Sequence, residues 1–103
     1  MKIIWSNQAV AAFWDIRDRI FNNFGIEIEN EYLEAVDKAL KHVSNFPDSG
    51  VPEYELSEDG SVHSILVNRL SRIIYYIEND MLHVADVWDV RQDPEALHSR
   101  FEK

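Results

Sequence analysis

The sequence predicts an α+β domain: an N-terminal strand, an antiparallel helix pair, and a three-stranded antiparallel sheet with a short C-terminal helix. Three observations lead there. Residues 6–24 and 26–45 carry apolar side chains at helical spacing. Residues 61–90 carry runs of Ile, Val, Tyr and Trp, which suit a pleated, half-buried surface. Asn79-Asp80 separates two of those runs, and both residue types tolerate the positive φ of a two-residue hairpin turn. Two helical stripes and one apolar sheet face can close a single core, so residues 1–103 form one domain.

Lys2 to Trp5 is a short apolar strand candidate, and Ser6 is placed to cap the helix that follows. Ala9, Phe13, Ile16, Ile20 and Phe24 fall on one helical face, widened by Val10, Trp14 and Phe21. Gly25 ends that helix because it accepts positive φ cheaply. The second helix runs from about Ile26 to Asn45 with a stripe of Ile28, Tyr32, Ala35, Ala39 and Val43, flanked by Val36 and Leu40. One glycine between the two makes them an antiparallel pair. Pro47 stops the second helix. Val51 to Gly60 is an acidic loop with a short strand expected around Tyr54 to Leu56, and Ser61 to Val67 is the next strand. Arg72–Glu78 and Met81–Val90 form the hairpin. Asp93-Pro94-Glu95 has the chemistry of a helix start, with Asp as cap and Pro in the first turn.

The turn sets a register. Glu78 faces Met81, Ile77 faces Leu82 and Tyr75 faces Val84. With a side-chain period of two, one face holds Ile73, Tyr75, Ile77, Leu82, Val84 and Trp88, with Asp86 as a misfit. The other holds Arg72, Ile74, Tyr76, His83, Val87, Asp89 and Arg91. The first is the expected core face. The second mixes apolar with polar groups, and an exposed apolar surface on a small protein marks a partner site. Ile74, Tyr76, His83 and Val87 are therefore the expected partner-binding residues.

Composition narrows the function. The 46% hydrophobic and 12% aromatic content excludes a disordered chain. The absence of Cys excludes disulfides and thiolate metal sites, and His42, His63, His83 and His98 are too scattered for a metal site, so no metal or cofactor is expected. No signal-peptide-like run opens the chain and no run reaches membrane-spanning length, so a cytoplasmic protein is expected, with no membrane partner. The net charge is −9, and ten acids against Lys38 and Lys41 lie between residues 26 and 61. Affinity for nucleic acid draws heavily on neutralised phosphates, so direct nucleic-acid binding is disfavoured and a basic protein partner favoured.

A wider pattern emerges from a Trp5-Ser6 start with Ala9 in the first helix, Phe46-Pro47-x-x-Gly50 after the helix pair, and Arg72-Ile-Ile-Tyr75 in a strand. Val87-Trp88-Asp89-Val90-Arg91-Gln92-Asp93-Pro94 closes it. This ordered set resembles the RelE/ParE superfamily of bacterial type II toxins, over nearly the whole chain. The resemblance implies a small cytoplasmic toxin that blocks growth or stabilises a plasmid, encoded beside an antitoxin that neutralises it. Some members cut messenger RNA on the ribosome, others poison DNA gyrase, and some have lost toxicity.

In the RNA-cutting members the resemblance assigns phosphate binding to Arg72 and a second basic residue to Arg91. Attack by a ribose 2′-hydroxyl builds charge on phosphate oxygens, which a guanidinium fork can match. In the expected register Arg91 lies beyond the partner of Arg72 by about 13 Å of strand, at about 3.3 Å per residue. The competing reading is an ion pair of either Arg with Asp89, or an antitoxin contact. Tyr76 and His83 face each other and are either acid–base groups or a cross-strand packing pair. Glu53 and Glu55, and likewise His98 and Arg100, fall where relatives keep catalytic groups; here they read as solvated surface. No Lys or Arg occurs between Val43 and Asn68, where RNA-cutting relatives are basic. A toxin that binds a protein target such as DNA gyrase is the leading expectation. A ribosome-dependent ribonuclease using Arg72 and Arg91, or a fold that has lost toxicity, are the alternatives.

Overall fold

A computed structural model describes residues 1–90. The elements are β1 (Lys2–Trp5), α1 (Asn7–Phe24), α2 (Ile26–Asn45), a 3-10 turn at Pro47–Ser49, β2 (Val51–Pro52), β3 (His63–Val67), β4 (Ser71–Glu78) and β5 (Met81–Asp89). The helix expected from Asp93 lies outside the described residues, as do Arg91, His98 and Arg100.

The architecture is α+β as expected, but the sheet has five strands in the order β1-β5-β4-β3-β2 and is mixed. β1 runs parallel to β5, with Lys2 opposite Met81 and Trp5 opposite Val84, and the other pairings are antiparallel. Parallel neighbours require a crossover, and here everything from α1 to β4 lies between them in sequence. The short strand before β3 forms at Val51–Pro52 and not at Tyr54–Leu56, because the chain turns at once: Leu56 N–H and Ser57 N–H both donate to Glu53 O. Pro52 is tolerated there because an outermost strand can spare an N–H.

Local chemistry fixes the helices where the sequence places them. Ser6 Oγ accepts from Ala9 N–H at 3.0 Å and caps α1. Gly25, at φ 91°, closes α1 by donating to Phe21 O and starts α2 at once. Ala9, Ile16 and Ile20 from α1 and Tyr32, Val36, Leu40 and Val43 from α2 pack onto Val67, Ile73, Tyr75, Leu82, Val84 and Val87. Val10, Trp14 and Phe21 do not widen the buried stripe. They are exposed, on a line of their own at spacings of four and seven, and Phe24 is 59% exposed in the last helical residue.

Two buried tyrosines tie helix and turn to the sheet. Tyr32 and Ser71 share a 2.7 Å hydrogen bond between their hydroxyls. Tyr75 OH donates to Pro47 O at 2.9 Å and accepts from Gly50 N–H at 3.1 Å, and a side chain at residue 50 would collide with that hydroxyl. Burial raises both phenols above their ordinary pKa of 10.0.

The hairpin turn is as expected. Asn79 and Asp80 both take positive φ, and Glu78–Met81, Ile77–Leu82 and Tyr75–Val84 are paired. The register then shifts: Ile74 faces Asp86, which leaves Ala85 as the extra residue of a bulge. Ser6 Oγ donates to Ala85 O at 2.8 Å, and Asp86 Oδ1 accepts from Val87 N–H at 2.8 Å, so the interrupted ladder is satisfied locally. One added residue reverses every side chain beyond it. Val87 and Asp89 therefore face the helices, opposite Ile73 and Ser71, whereas Trp88 faces the other way, opposite Arg72. The expected assignment of Trp88 to the helix-side core, and of Val87 to the partner face, is corrected by this bulge.

Candidate functional site: the uncovered sheet face and the groove beside helix α1

On the face away from the helices, Ile74 and Val62 form a small buried cluster, with Leu56, Tyr76, Ala85 and Trp88 packed against it. Leu56 belongs to the acidic loop and Val62 to the segment that leads from it into β3, so the chain itself covers the middle of the face expected to receive a partner. Ile74 is fully buried there, and Val87 is buried on the opposite side. Neither presents contact surface. Tyr76 and His83 stay half-exposed and stack with ring centres 4.8 Å apart and planes 3° from parallel. His83 Nε2 lies 3.3 Å from Glu78 O. The Tyr76–His83 stack is the contact of a cross-strand packing pair.

Arg72 is the one expected phosphate-binding residue within the described chain. Its Nη1 donates to Ser64 Oγ at 3.1 Å, and Ser64 in turn donates to Glu53. Glu53 is thus a half-buried acceptor facing the sheet, not a solvated charge as expected from its acidic loop. Asp89 is not the partner of Arg72 either: the bulge turns it to the helix side, where Arg19 Nη1 holds it at 3.1 Å. Arg19 also reaches Asp15 at 3.4 Å. Among the described residues no group of three or more His, Asp or Glu is placed to hold a metal ion, and no helix is long and apolar enough to cross a membrane.

A second feature was not anticipated. Between α1 and β5 runs a groove of about 410 Å³, lined by Gln8, Ala11, Ala12, Asp15, Ile16 and Arg19 against Val87 and Asp89. Gln8 Nε2 donates to Asp86 Oδ2 at 2.9 Å at one end. A cavity of about 250 Å³ shares Ile16, Arg19 and Asp89 and extends the space past Ile20 and Phe24 to Leu70 and Val90. The only trace of this region in the sequence was Asp86, a carboxylate on a nominally apolar face. It marks the bulge that moves Val87 and Asp89 under α1.

The chain is similar to a structure titled chromosomal ParDE TA system from P. aeruginosa, at 16% identity and a TM-score of 0.70, covering 88% of this chain and 97% of that one. It is also similar to the YoeB-YefM complex from Staphylococcus aureus, at 18% identity and a TM-score of 0.56, covering 85% and 94%. A heterotetrameric YoeB-YefM toxin-antitoxin complex from the same organism matches at 16% identity and a TM-score of 0.57, covering 89% and 98%. No curated protein sequence matches the chain significantly. Residues 3–94 match the family described as ParE toxin of type II toxin-antitoxin system, parDE, and the chain belongs to that family.

Proposed function

We propose that this toxin is held by a cognate antitoxin and that it acts by binding a protein target such as DNA gyrase, without cutting RNA. The antitoxin is supported by the structural relatives, which are a ParDE TA system and YoeB-YefM complexes. The protein target is supported above all by the state of Arg72. Its guanidinium is tied through Ser64 to the Glu53 carboxylate, so its charge is compensated within the fold. Phosphodiester cleavage calls for cations aimed at the developing oxyanion, together with a poised acid or base. The loop beside Arg72 supplies Glu53, Glu55, Glu58 and Asp59, and no Lys or Arg. That potential repels a polyanion and attracts a basic protein surface.

Tyr76 and His83 are the partner-contacting residues in this reading, and Ile74 and Val87 hold the strands that present them. Inducing the toxin without antitoxin tests the target. The expected result is growth arrest with altered DNA supercoiling, unaffected bulk translation, and toxicity that survives Arg72→Ala. Cleavage of ribosome-bound message that disappears in Arg72→Ala would establish the ribonuclease instead. Absence of any growth defect would identify a fold that has lost toxicity.

A further inference from the structure

Helix α1 carries two apolar seams, and the core uses one of them. Ala9, Phe13, Ile16 and Ile20 pack inward. Val10, Trp14, Arg17, Phe21 and Phe24 follow one another at spacings of 4, 3, 4 and 3, the alternation by which one helix packs along another. This second seam is about 21 Å long, at about 1.5 Å per residue. Its four apolar members are all exposed, and three are aromatic. Arg17 sits at its centre and is held in place. Its guanidinium lies 4.3 Å from the Trp14 ring centre, and its Nε donates to Glu29 at 3.1 Å. The seam is thus an ordered ridge of the residue types, aromatic and Arg, that are enriched where proteins meet.

We propose that this ridge binds the same ridge of a second copy of the chain, in a two-fold symmetric pair of α1 helices. Charge favours that occupant. Helix α1 is neutral, with Asp15 and Asp18 against Arg17 and Arg19, whereas α2 carries five acids against Lys38 and Lys41. On a chain of net charge −9, the neutral helix is where a second acidic copy meets least repulsion and where a basic partner finds least attraction. The spacing is self-complementary as well. Val10 and Phe24 lie seven residues to either side of Arg17, with Trp14 and Phe21 between. A two-fold axis near Arg17 sets the helices antiparallel and lays Val10 and Trp14 of each copy against Phe21 and Phe24 of the other, an isologous contact. Arg17 brings no unpaired charge to the axis, because Glu29 and the Trp14 ring already hold it. Area sets the strength. A half-exposed aromatic ring offers on the order of 100 Å². Three of them, with Val10 and the flanking side chains, cover about 600 Å² per copy, the lower bound of a specific interface. The dimer is therefore weak, with a Kd of about 10–100 μM.

Sedimentation equilibrium of the purified full-length chain, loaded from about 5 to about 300 μM, tests the pairing. The expected result is a reversible monomer–dimer equilibrium that tightens severalfold between about 0.05 and about 0.5 M NaCl, because salt screens the repulsion between two acidic copies and leaves the apolar contact. Phe21→Asp, at an exposed position, weakens the dimer by at least about tenfold, with thermal unfolding of the dilute protein unaltered. The chain has no cysteine, so single substitutions report the geometry without background. Asp18→Cys, beside the axis, is joined to its copy by a short bis-maleimide at least about tenfold faster than Glu58→Cys, on the loop side of the sheet. A chain that stays monomeric across this range overturns the inference. So does a dimer that tolerates Phe21→Asp, one that salt dissociates, or one that cross-links equally from residue 58. None of these outcomes decides the antitoxin or the target, which the induction experiment tests separately.

Discussion

On the helix side of the sheet, thirteen buried residues drawn from α1, α2, β3, β4 and β5 interlock in one cluster. On the other side only Val62 and Ile74 are buried among the apolar residues of the cluster, and a loop with Leu56 is the cover. The contrast separates two tasks. The helix side concentrates the burial that offsets chain entropy. The loop side keeps Arg72, Tyr76, His83 and Trp88 half-exposed, where substitutions change contacts more than folding.

Truncations on the two sides give the sharpest test. Leu82→Ala, in the helix-side cluster, should cost about 2–5 kcal/mol in a urea titration. Trp88→Ala removes a larger side chain, yet from the half-buried side, and should cost about 1–3 kcal/mol, below the usual figure for a fully buried Trp. Equal or inverted losses would mean that the bulge does not turn Trp88 away from the helices.

Next in size comes the polar link on the helix side. Tyr32→Phe leaves the buried Ser71 hydroxyl without its partner and should cost about 1–2 kcal/mol. It should also change the alkaline limb of stability. Burial raises the Tyr32 pKa above 10.0 in the folded chain. Below that value both states keep the phenol neutral and the stabilisation is complete. As pH rises past the unfolded-state value the unfolded chain ionises first, so stability falls until the folded phenol also ionises. Unfolding followed from pH 8 to 11 should show a shallower fall in Tyr32→Phe. An identical slope would mean that Tyr32 is solvated in the native state.

The loop side should respond in rates. Tyr76→Ala removes half of the ring stack with His83 and should mainly speed antitoxin dissociation, measured by surface binding kinetics, with a stability loss under about 1 kcal/mol. The smallest effect is expected at the acidic start of α2. Glu27→Gln with Glu31→Gln should slow association severalfold at most and flatten its salt dependence. Glu29 does not belong in that set, because it is buried and bound to Arg17 at 3.1 Å. Neutralising it tests an ion pair and not steering.

The features legible in the sequence are those with a local cause. Ser6 and Gly25 cap α1 by chemistry confined to one turn, and Asn79-Asp80 reveals the hairpin because few residue pairs accept two positive φ angles. The parallel pairing of β1 with β5 joins residues nearly eighty positions apart, and no local pattern announces it. The bulge escaped because Ala85 is small enough for either face and the alternation continues on both sides of it. Reading straight through put Val87, Trp88 and Asp89 on the wrong faces, and Val87 was one of the four expected partner residues. Arg72 was found by resemblance, but Ser64 and Glu53, which decide what its charge can do, come from another strand and a loop.

The three tryptophans happen to divide the molecule into optical districts. Trp5 lies partly buried on β1, 5.2 Å from the Phe13 ring. Trp14 stands 53% exposed on α1 with the Arg17 guanidinium 4.3 Å from its ring centre. Trp88 lies on the loop side with its indole N–H buried and without a hydrogen-bond partner among the described residues. Fluorescence from variants that keep one of the three would report separately on the parallel edge, the outer helix surface and the loop-covered face. A partner's footprint on this chain can then be read as a pattern of colour shifts before any complex is crystallised.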